Sequence, residues 1–157
     1  MKILLPVDGS ELSLEAVRYA IRLTSEGLQA SFVIANVQEP TTLYEIVVAH
    51  DPDVLQQVSG AAGVHLLAGA EELLNQADLE HESEVAAGDP AHTLVDIIER
   101  FGCDAVIMGA RGMGPLSAAL VGSVSLGVLR ASPVPVTIVK PQPAPEAEDD
   151  EGAESSL

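Results

Sequence analysis

The sequence predicts an α/β protein: an open, five-stranded, mostly parallel sheet with helices on both faces. Three observations carry that expectation. Short apolar runs bounded by turn residues, such as "KILLPV" (2–7) and "DAVIMG" (104–109), read as strands buried on both faces of a sheet. Stretches with helical periodicity and helix-starting residues lie between them. Strands alternating with helices at this spacing need right-handed crossovers, and these give a parallel order. A chain of 157 residues with 47% apolar content suffices for one domain with a sizeable core, and with 3% aromatic residues and no Trp that core has to be aliphatic.

Taken in order, the first strand ends at Pro6 and Asp8. Ser10 then reads as an N-cap with Glu11 favourably placed on the helix dipole, and Leu14, Val17, Ile21 and Leu28 form an apolar stripe before a stop at Gly27. "SFVIANV" (31–37) is the second strand, followed by a mixed segment, "QEPTTLYEIVVAHDP", with some helical character. From Asp53 to about Ala77, Val54, Val58, Ala61, His65, Leu66 and Leu73 recur near helical spacing, with Pro52 suited to the first turn. Gly60, Gly63 and Gly69 each weaken that helix by up to about 1 kcal/mol relative to Ala, so close packing is expected to compensate. "HESEVAA" (81–87), of mixed polarity, suits an edge strand. Asp89 then caps a helix with Pro90 at its first position and Leu94, Ile98 and Phe101 on its buried row. The fourth strand is 104–109, the last helix runs from Gly122 to about Ala131, and "VPVTIV" (134–139) is the last strand. The domain is thus 1–140. Residues 141–157, rich in Pro and acid with no core-forming residue before Leu157, are expected to be a disordered acidic tail that keeps the protein soluble.

Net charge is −17, which excludes nucleic acid and anionic membrane as natural partners. No apolar run approaches the roughly 20 residues that cross a bilayer. The start, "MKILLPVDGS", lacks the features of a signal peptide, so a cytoplasmic location is expected. The single cysteine, Cys103, precludes an internal disulfide and reads as a small buried residue at a strand entrance. His50, His65, His81 and His92 fall on different elements without i, i+4 pairing and read as ordinary polar residues rather than metal ligands. The acids are unevenly spread: six lie in 141–157, leaving 18 against 7 bases before them, and none lies between Ala105 and Lys140, where Arg111, Arg130 and Lys140 occur.

That acid-free region holds "GARGMGPLSAALVGSVS" (109–125). Gly109 closes the fourth strand, and ligands of open parallel sheets bind beyond such strand ends, where loops run into helix N-termini. Glycines let main-chain N–H groups approach phosphate oxygens, and Gly122, Ser123 and Ser125 begin a helix whose unpaired amides and dipole favour an anion. The unfavourable global charge is largely screened beyond about 8 Å at physiological salt. The Walker loop and the dinucleotide fingerprint are both absent. Asp8 lies at the same sheet edge, open either to a ribose, base or hydrated metal, or to turn chemistry before Ser10.

With Gly109, Gly112, Gly122 and Ser123 at the fixed points of Gly, two residues, Gly, nine residues, Gly, Ser or Thr, the chain resembles the nucleotide-binding universal stress proteins. "ILLPVDGS", "GDP", "DAVIMGARG" and "SPVPVTIV" extend the likeness over residues 1–140. The resemblance implies a Rossmann-like fold of the adenine nucleotide alpha hydrolase-like group. It implies ATP, carried with Mg2+, in a site where Pro6, Val7 and Asp8 line the adenosine side. Ala35 or Val37 and Met108 and Gly109 would approach the base or ribose, and Gly112, Gly122, Ser123, Val124 and Ser125 would hold phosphates. Arg111 is the nearest cation, and "PLSAAL" lacks the further basic residues often found in the family. A homodimer through Val134, Val136 and Ile138 of the last strand is also implied. The leading reading is therefore a nucleotide-dependent regulatory or stress-resistance protein and not an enzyme. The alternatives are a slow ATP hydrolase, disfavoured because only Asp8 offers a general base near the loop and the "SGGxDS" loop of related ATP pyrophosphatases is missing, and a nucleotide-independent stress-response dimer.

Overall fold

The computed structural model describes residues 1–40, 52–110 and 121–141, with side chains in the middle segment described from residue 60 onward. Among these residues nine elements follow one another: β1 (Lys2–Pro6), α1 (Glu11–Ser25), β2 (Ser31–Gln38), α2 (Pro52–Gln76), β3 (His81–Ala87), α3 (Pro90–Phe101), β4 (Ala105–Gly109), α4 (Ser123–Ala131) and β5 (Val136–Val139). The strands form one sheet in the order β3-β2-β1-β4-β5, and every pairing is parallel. The open five-stranded α/β architecture expected from the sequence is the one observed.

The order explains which helix covers which face. The chain steps from β1 outward to β2 and β3, then returns past β1 to β4 and on to β5. Right-handed crossovers taken in opposite directions put their helices on opposite faces. α1 and α2 accordingly bury Val17, Ala20, Leu67 and Leu74 against Ile3, Leu5, Phe32 and Ile34, while α3 and α4 bury Leu94, Ile97 and Val128 against Leu4, Val33, Val106 and Met108. The strict alternation of 3 and 5 against 4, and of 32 and 34 against 33, is why β1 and β2 read as unbroken apolar runs: each face of the sheet has its own core. The reversal of direction falls between β1 and β4, and the ends of those two strands are where a ligand crevice is expected.

Local chemistry sets the helix boundaries. Ser10 caps α1, its Oγ accepting from the Ser13 amide at 3.1 Å. Asp89 caps α3 through the His92 amide at 3.0 Å, Pro90 opens that helix, and Gly102 closes it in the left-handed region at φ 68°. The α2 stripe is phased differently from the sequence reading: Ala61 and His65 are exposed, and the core side carries Gly63, Leu67, Ala70 and Leu74. Gly63 lies so close to Val85 of β3 that a Cβ there would overlap it, so a search for large apolar residues passes over the point where the helix meets the sheet. On α3 the fully buried row is Leu94, Ile97 and Ile98, with Phe101 only half-buried and beneath the Arg100 guanidinium at 5.2 Å. β5 begins two residues later than expected, because the Ser132 hydroxyl folds onto both the carbonyl (2.8 Å) and the amide (3.1 Å) of Val134 and holds it in a turn.

Cys103 sits at the entrance of β4, 5% exposed and packed among Leu4, Ile98 and Val106. Burial pushes its thiol above the ordinary value of 9.0. A group whose pKa is raised on folding gives its full contribution below the unfolded value and loses it as the pH climbs through the folded one. Urea midpoints measured from pH 7 to 10.5 are therefore expected to fall for the wild type relative to Cys103→Ala only above about pH 9. Parallel curves for the two proteins would refute a buried thiol.

Candidate functional site

Beyond the ends of β1, β2 and β4 lies a cleft of about 570 Å³, a size suited to a small organic ligand. It gathers Pro6, Val7 and Asp8 from the end of β1, Ala35 and Val37 from β2, Met108 and Gly109 from β4, and Val124 and Ser125 from α4. Residues named separately from the sequence thus share one crevice at the topological switch point. Gly122 and Ser123 stand at the N-terminus of α4, outside the lining. Arg111 and Gly112 lie outside the described residues, as do His50 and the tail from 142.

The floor of the cleft is fixed by hydrogen bonds between strand ends. The Val7 amide donates to the Ala35 carbonyl at 2.8 Å, which carries the β1–β2 pairing one step past Pro6. Asp8 accepts from the Ser10 amide at 2.9 Å through Oδ1. Turn chemistry before the helix therefore occupies one of its carboxylate oxygens. Gly9, between them, has φ 86°, and a Cβ there would stand 2.5 Å from Leu66 Cδ2, so α2 packs directly on this turn.

The β4 side is built differently. The Ala110 amide donates to the Val139 carbonyl (2.9 Å), and the Gly122 amide donates to the Ala110 carbonyl (2.7 Å), tying the start of α4 to the end of β4. Ser125 is buried, and its hydroxyl donates to the Gly109 carbonyl at 2.8 Å. Two groups read from the sequence as anion donors, the Gly122 amide and the Ser125 hydroxyl proton, thus brace the site. The first intrahelical bond of α4 runs from Leu126 to the Gly122 carbonyl, and no side chain caps the helix. Among the described residues the amides of Ser123, Val124 and Ser125 meet no acceptor. Among the described residues these three, with the Ser123 hydroxyl, are the donors at the start of α4 left for an anion.

Gly109 has its own structural reason. A Cβ there would come within 3.0 Å of Leu12 Cγ and 3.2 Å of the Leu12 carbonyl oxygen, so the glycine lets α1 lie against the end of β4.

Sequence reasoning missed Ser13, Asn36, Gln38, Glu39, Leu66, Pro90 and Leu94, which also line the cleft. Asn36 and Gln38 were visible in principle: two amides interrupt an otherwise apolar strand, and a polar residue in a central strand needs a partner or a purpose. The charge of the cleft is lopsided. Asp8 and Glu39 stand at its β1–β2 end, while the α4 end lies in a stretch without acids. Among the described residues no group of three His, Cys, Asp or Glu gathers to hold a metal, and no helix is long and apolar enough to cross a membrane.

Comparison with known proteins agrees with this geometry. The family model described as universal stress protein family matches residues 1–140. The universal stress protein YxiE of Bacillus subtilis is 30% identical over 146 residues, covering 88% of this chain and 98% of YxiE. Among solved structures, a universal stress protein in complex with cAMP superposes with a TM-score of 0.63 at 24% identity, covering 88% of this chain and 95% of that one. A family protein from Arabidopsis thaliana with AMP bound gives 0.65 at 18%, covering 94% and 98%. At these identities the structural likeness establishes a shared fold.

Proposed function

Since the chain belongs to the universal stress protein family, whose model spans residues 1–140, we propose that it binds an adenine nucleotide, ATP with its Mg2+, as an effector rather than as a substrate. The observation that carries this reading is the placement of three amides without an acceptor among the described residues, those of Ser123, Val124 and Ser125, at the acid-free end of a cleft at the switch point of the sheet. Charge-assisted hydrogen bonds contribute about 1.5 to 3 kcal/mol each, and micromolar affinity corresponds to about −8 kcal/mol. A few such bonds to phosphate, with burial of a base over the apolar walls of Val7, Ala35, Val37 and Met108, are of the required order. The two family structures that carry cAMP and AMP support an adenosine ligand.

An effector role fits the side chains of the cleft. Asp8, the general-base candidate of the sequence, holds one oxygen in the turn to Ser10. The phosphates of Mg·ATP would bring their own metal to the α4 end. In this reading the nucleotide shifts an equilibrium between states of the chain or of its assembly, through different affinities for the two. The assembly would be a homodimer along β5, an edge strand of the described sheet. Val134, Val136 and Ile138 pack partly against the protein's own α3–α4 core, so the strand's main-chain groups would carry much of that pairing.

Calorimetric titration with ATP, ADP, AMP and GTP in Mg2+, on the wild type and on Gly122→Val, tests the reading. Micromolar ATP binding by the wild type is expected, and a folded variant that has lost it, because a branched side chain at the helix cap stands in the way of the phosphates. Equal heats for both proteins would favour a nucleotide-independent dimer. Phosphate release sustained over many turnovers would favour a hydrolase.

A further inference from the structure

β1 and β2 pair as far as Pro6 and Ala35, and β2 then runs on to Gln38 with β3 as its partner. In a continued β1–β2 ladder the bond after that from the Val7 amide to Ala35 would run from the Val37 amide to the Val7 carbonyl. The donor described at that carbonyl is instead a side chain: Asn36 Nδ2, at 2.8 Å. Asn36 Oδ1 in turn accepts from Gln38 Nε2, so the two amides form a relay along β2. Its direction is fixed at the inner end, because a main-chain carbonyl only accepts and Asn36 must turn its NH2 toward Val7.

The relay is placed where an apolar residue would serve the core. Asn36 is 2% exposed and stands two residues after Ile34, on the same side of β2. Burying an amide is costly unless it is hydrogen-bonded, and what this bond fixes is a peptide plane. The Val7–Asp8 bond is trans, so the Asp8 N–H points opposite to the Val7 carbonyl. With that carbonyl turned to β2, the Asp8 amide is aimed the other way, toward the β4 side of the crevice, where Met108 and Gly109 line the cleft. The turn that follows is pinned at two further points, Asp8 Oδ1 on the Ser10 amide and Gly9 beneath Leu66.

We propose that Asn36 is a positioning residue: through the Val7 carbonyl it sets the plane of the Val7–Asp8 peptide and so prepares the β1 wall against which a nucleoside packs. It acts through Val7 rather than on the ligand. The proposal rests on the nucleotide reading above and adds the group that orders one wall of its site. A turn free to swing about Val7 would have to be ordered by the ligand itself, and that ordering lowers affinity. The α4 amides stand at the other end of the cleft and do not depend on this bond.

The test follows adenosine and inorganic tripolyphosphate separately, by 15N–1H correlation spectra of the wild type, Asn36→Leu and Asn36→Asp. In the wild type, adenosine should shift the Asp8 and Gly9 amides, and tripolyphosphate those of Ser123 and Val124. Asn36→Leu keeps the shape of the side chain and removes the donor; adenosine is expected to bind it about tenfold more weakly, and tripolyphosphate within about twofold of wild type. Asn36→Asp keeps the acceptor for Gln38 and loses only the donor to Val7. Since adenosine is uncharged, the same tenfold loss there assigns the effect to the Val7 bond. A third readout needs no variant: the Asn36 side-chain NH2 of the wild type should exchange with solvent far more slowly than that of the exposed Asn75. Unchanged adenosine affinity in both variants, an equal loss of adenosine and tripolyphosphate, or an Asn36 NH2 that exchanges as fast as that of Asn75 overturns the positioning role and leaves nucleotide binding standing. A wild type that binds neither ligand removes the nucleotide reading, and this inference with it.

Discussion

Gly63→Ala is expected to lower the melting temperature by about 6 °C, corresponding to roughly 2 kcal/mol in a chain of this size. The sign is opposite to the usual one, since Ala in a helix interior is normally worth about 1 kcal/mol over Gly. Gly63 lies on the buried side of α2, facing β3. A Cβ there would overlap Val85 Cγ1 outright, and would stand 3.0 Å from Cγ2 and 3.2 Å from the Val85 Cβ. Rotating Val85 about χ1 can put its Cβ hydrogen where Cγ1 stood, but a methyl then takes the Cγ2 position at 3.0 Å and the contact with Cβ is unchanged, so full relief requires α2 to move off the sheet. Overpacking of that kind costs about 1 to 3 kcal/mol. In a Val85→Ala background the obstructing methyls are gone and only the 3.2 Å contact with the residue's Cβ is left, so the same Gly63→Ala substitution should then be close to neutral, the helix preference for Ala of about 1 kcal/mol offsetting what remains of the contact. The double-mutant cycle, read by urea unfolding, is expected to show a coupling of about 2 kcal/mol. Additive effects would mean that α2 does not lie on β3 as described.

This contact marks where the sequence was legible and where it was not. Strand runs such as "KILLPV" and caps such as Ser10 and Asp89 are local statements, satisfied by residues within three or four positions, and they are found where the sequence puts them. The phase of α2 is not local: it meets β3 at a glycine, Gly63, whose small size matters only once Val85 is known to lie opposite. The site shows the same division. Pro6, Val7, Asp8, Met108 and Gly109 share a cleft because strand ends share an edge, which the alternating pattern already implies. The bracing of Gly109 by Ser125 and the anchoring of Gly122 on Ala110 span 16 and 12 residues. They convert two apparent ligand donors into structural ones, and only the positions of β4 and α4 reveal this. The amide relay of Asn36 and Gln38 depends on the Val7 carbonyl, a main-chain acceptor on the neighbouring strand.

Ser123→Glu is expected to weaken ATP binding by about thirtyfold while leaving the protein as stable as before or more so. Ser123 is the first residue of α4, exposed, and outside the lining of the cleft. An acid in a first turn interacts favourably with the helix dipole, worth about 0.3 to 1 kcal/mol, and α4 has no acid there and no side-chain cap. On stability alone the substitution improves the helix. Toward a polyphosphate the same carboxylate is a like charge competing for the same amides. At about 4 Å and an effective dielectric of 20 the pair repels by about 4 kcal/mol; roughly half of that, after solvent screening, is still about thirtyfold in affinity. The penalty should shrink as salt rises from 50 to 500 mM, because a partly exposed pair is screened, and AMP, with less charge, should lose less than ATP. Thermal melts and titrations on the same preparation separate the two effects. A Ser123→Glu protein that melts normally and binds ATP as the wild type does would show that the phosphates do not sit at α4, whereas Ser123→Gln, which adds bulk without charge, should bind within a few-fold of wild type if the repulsion is electrostatic.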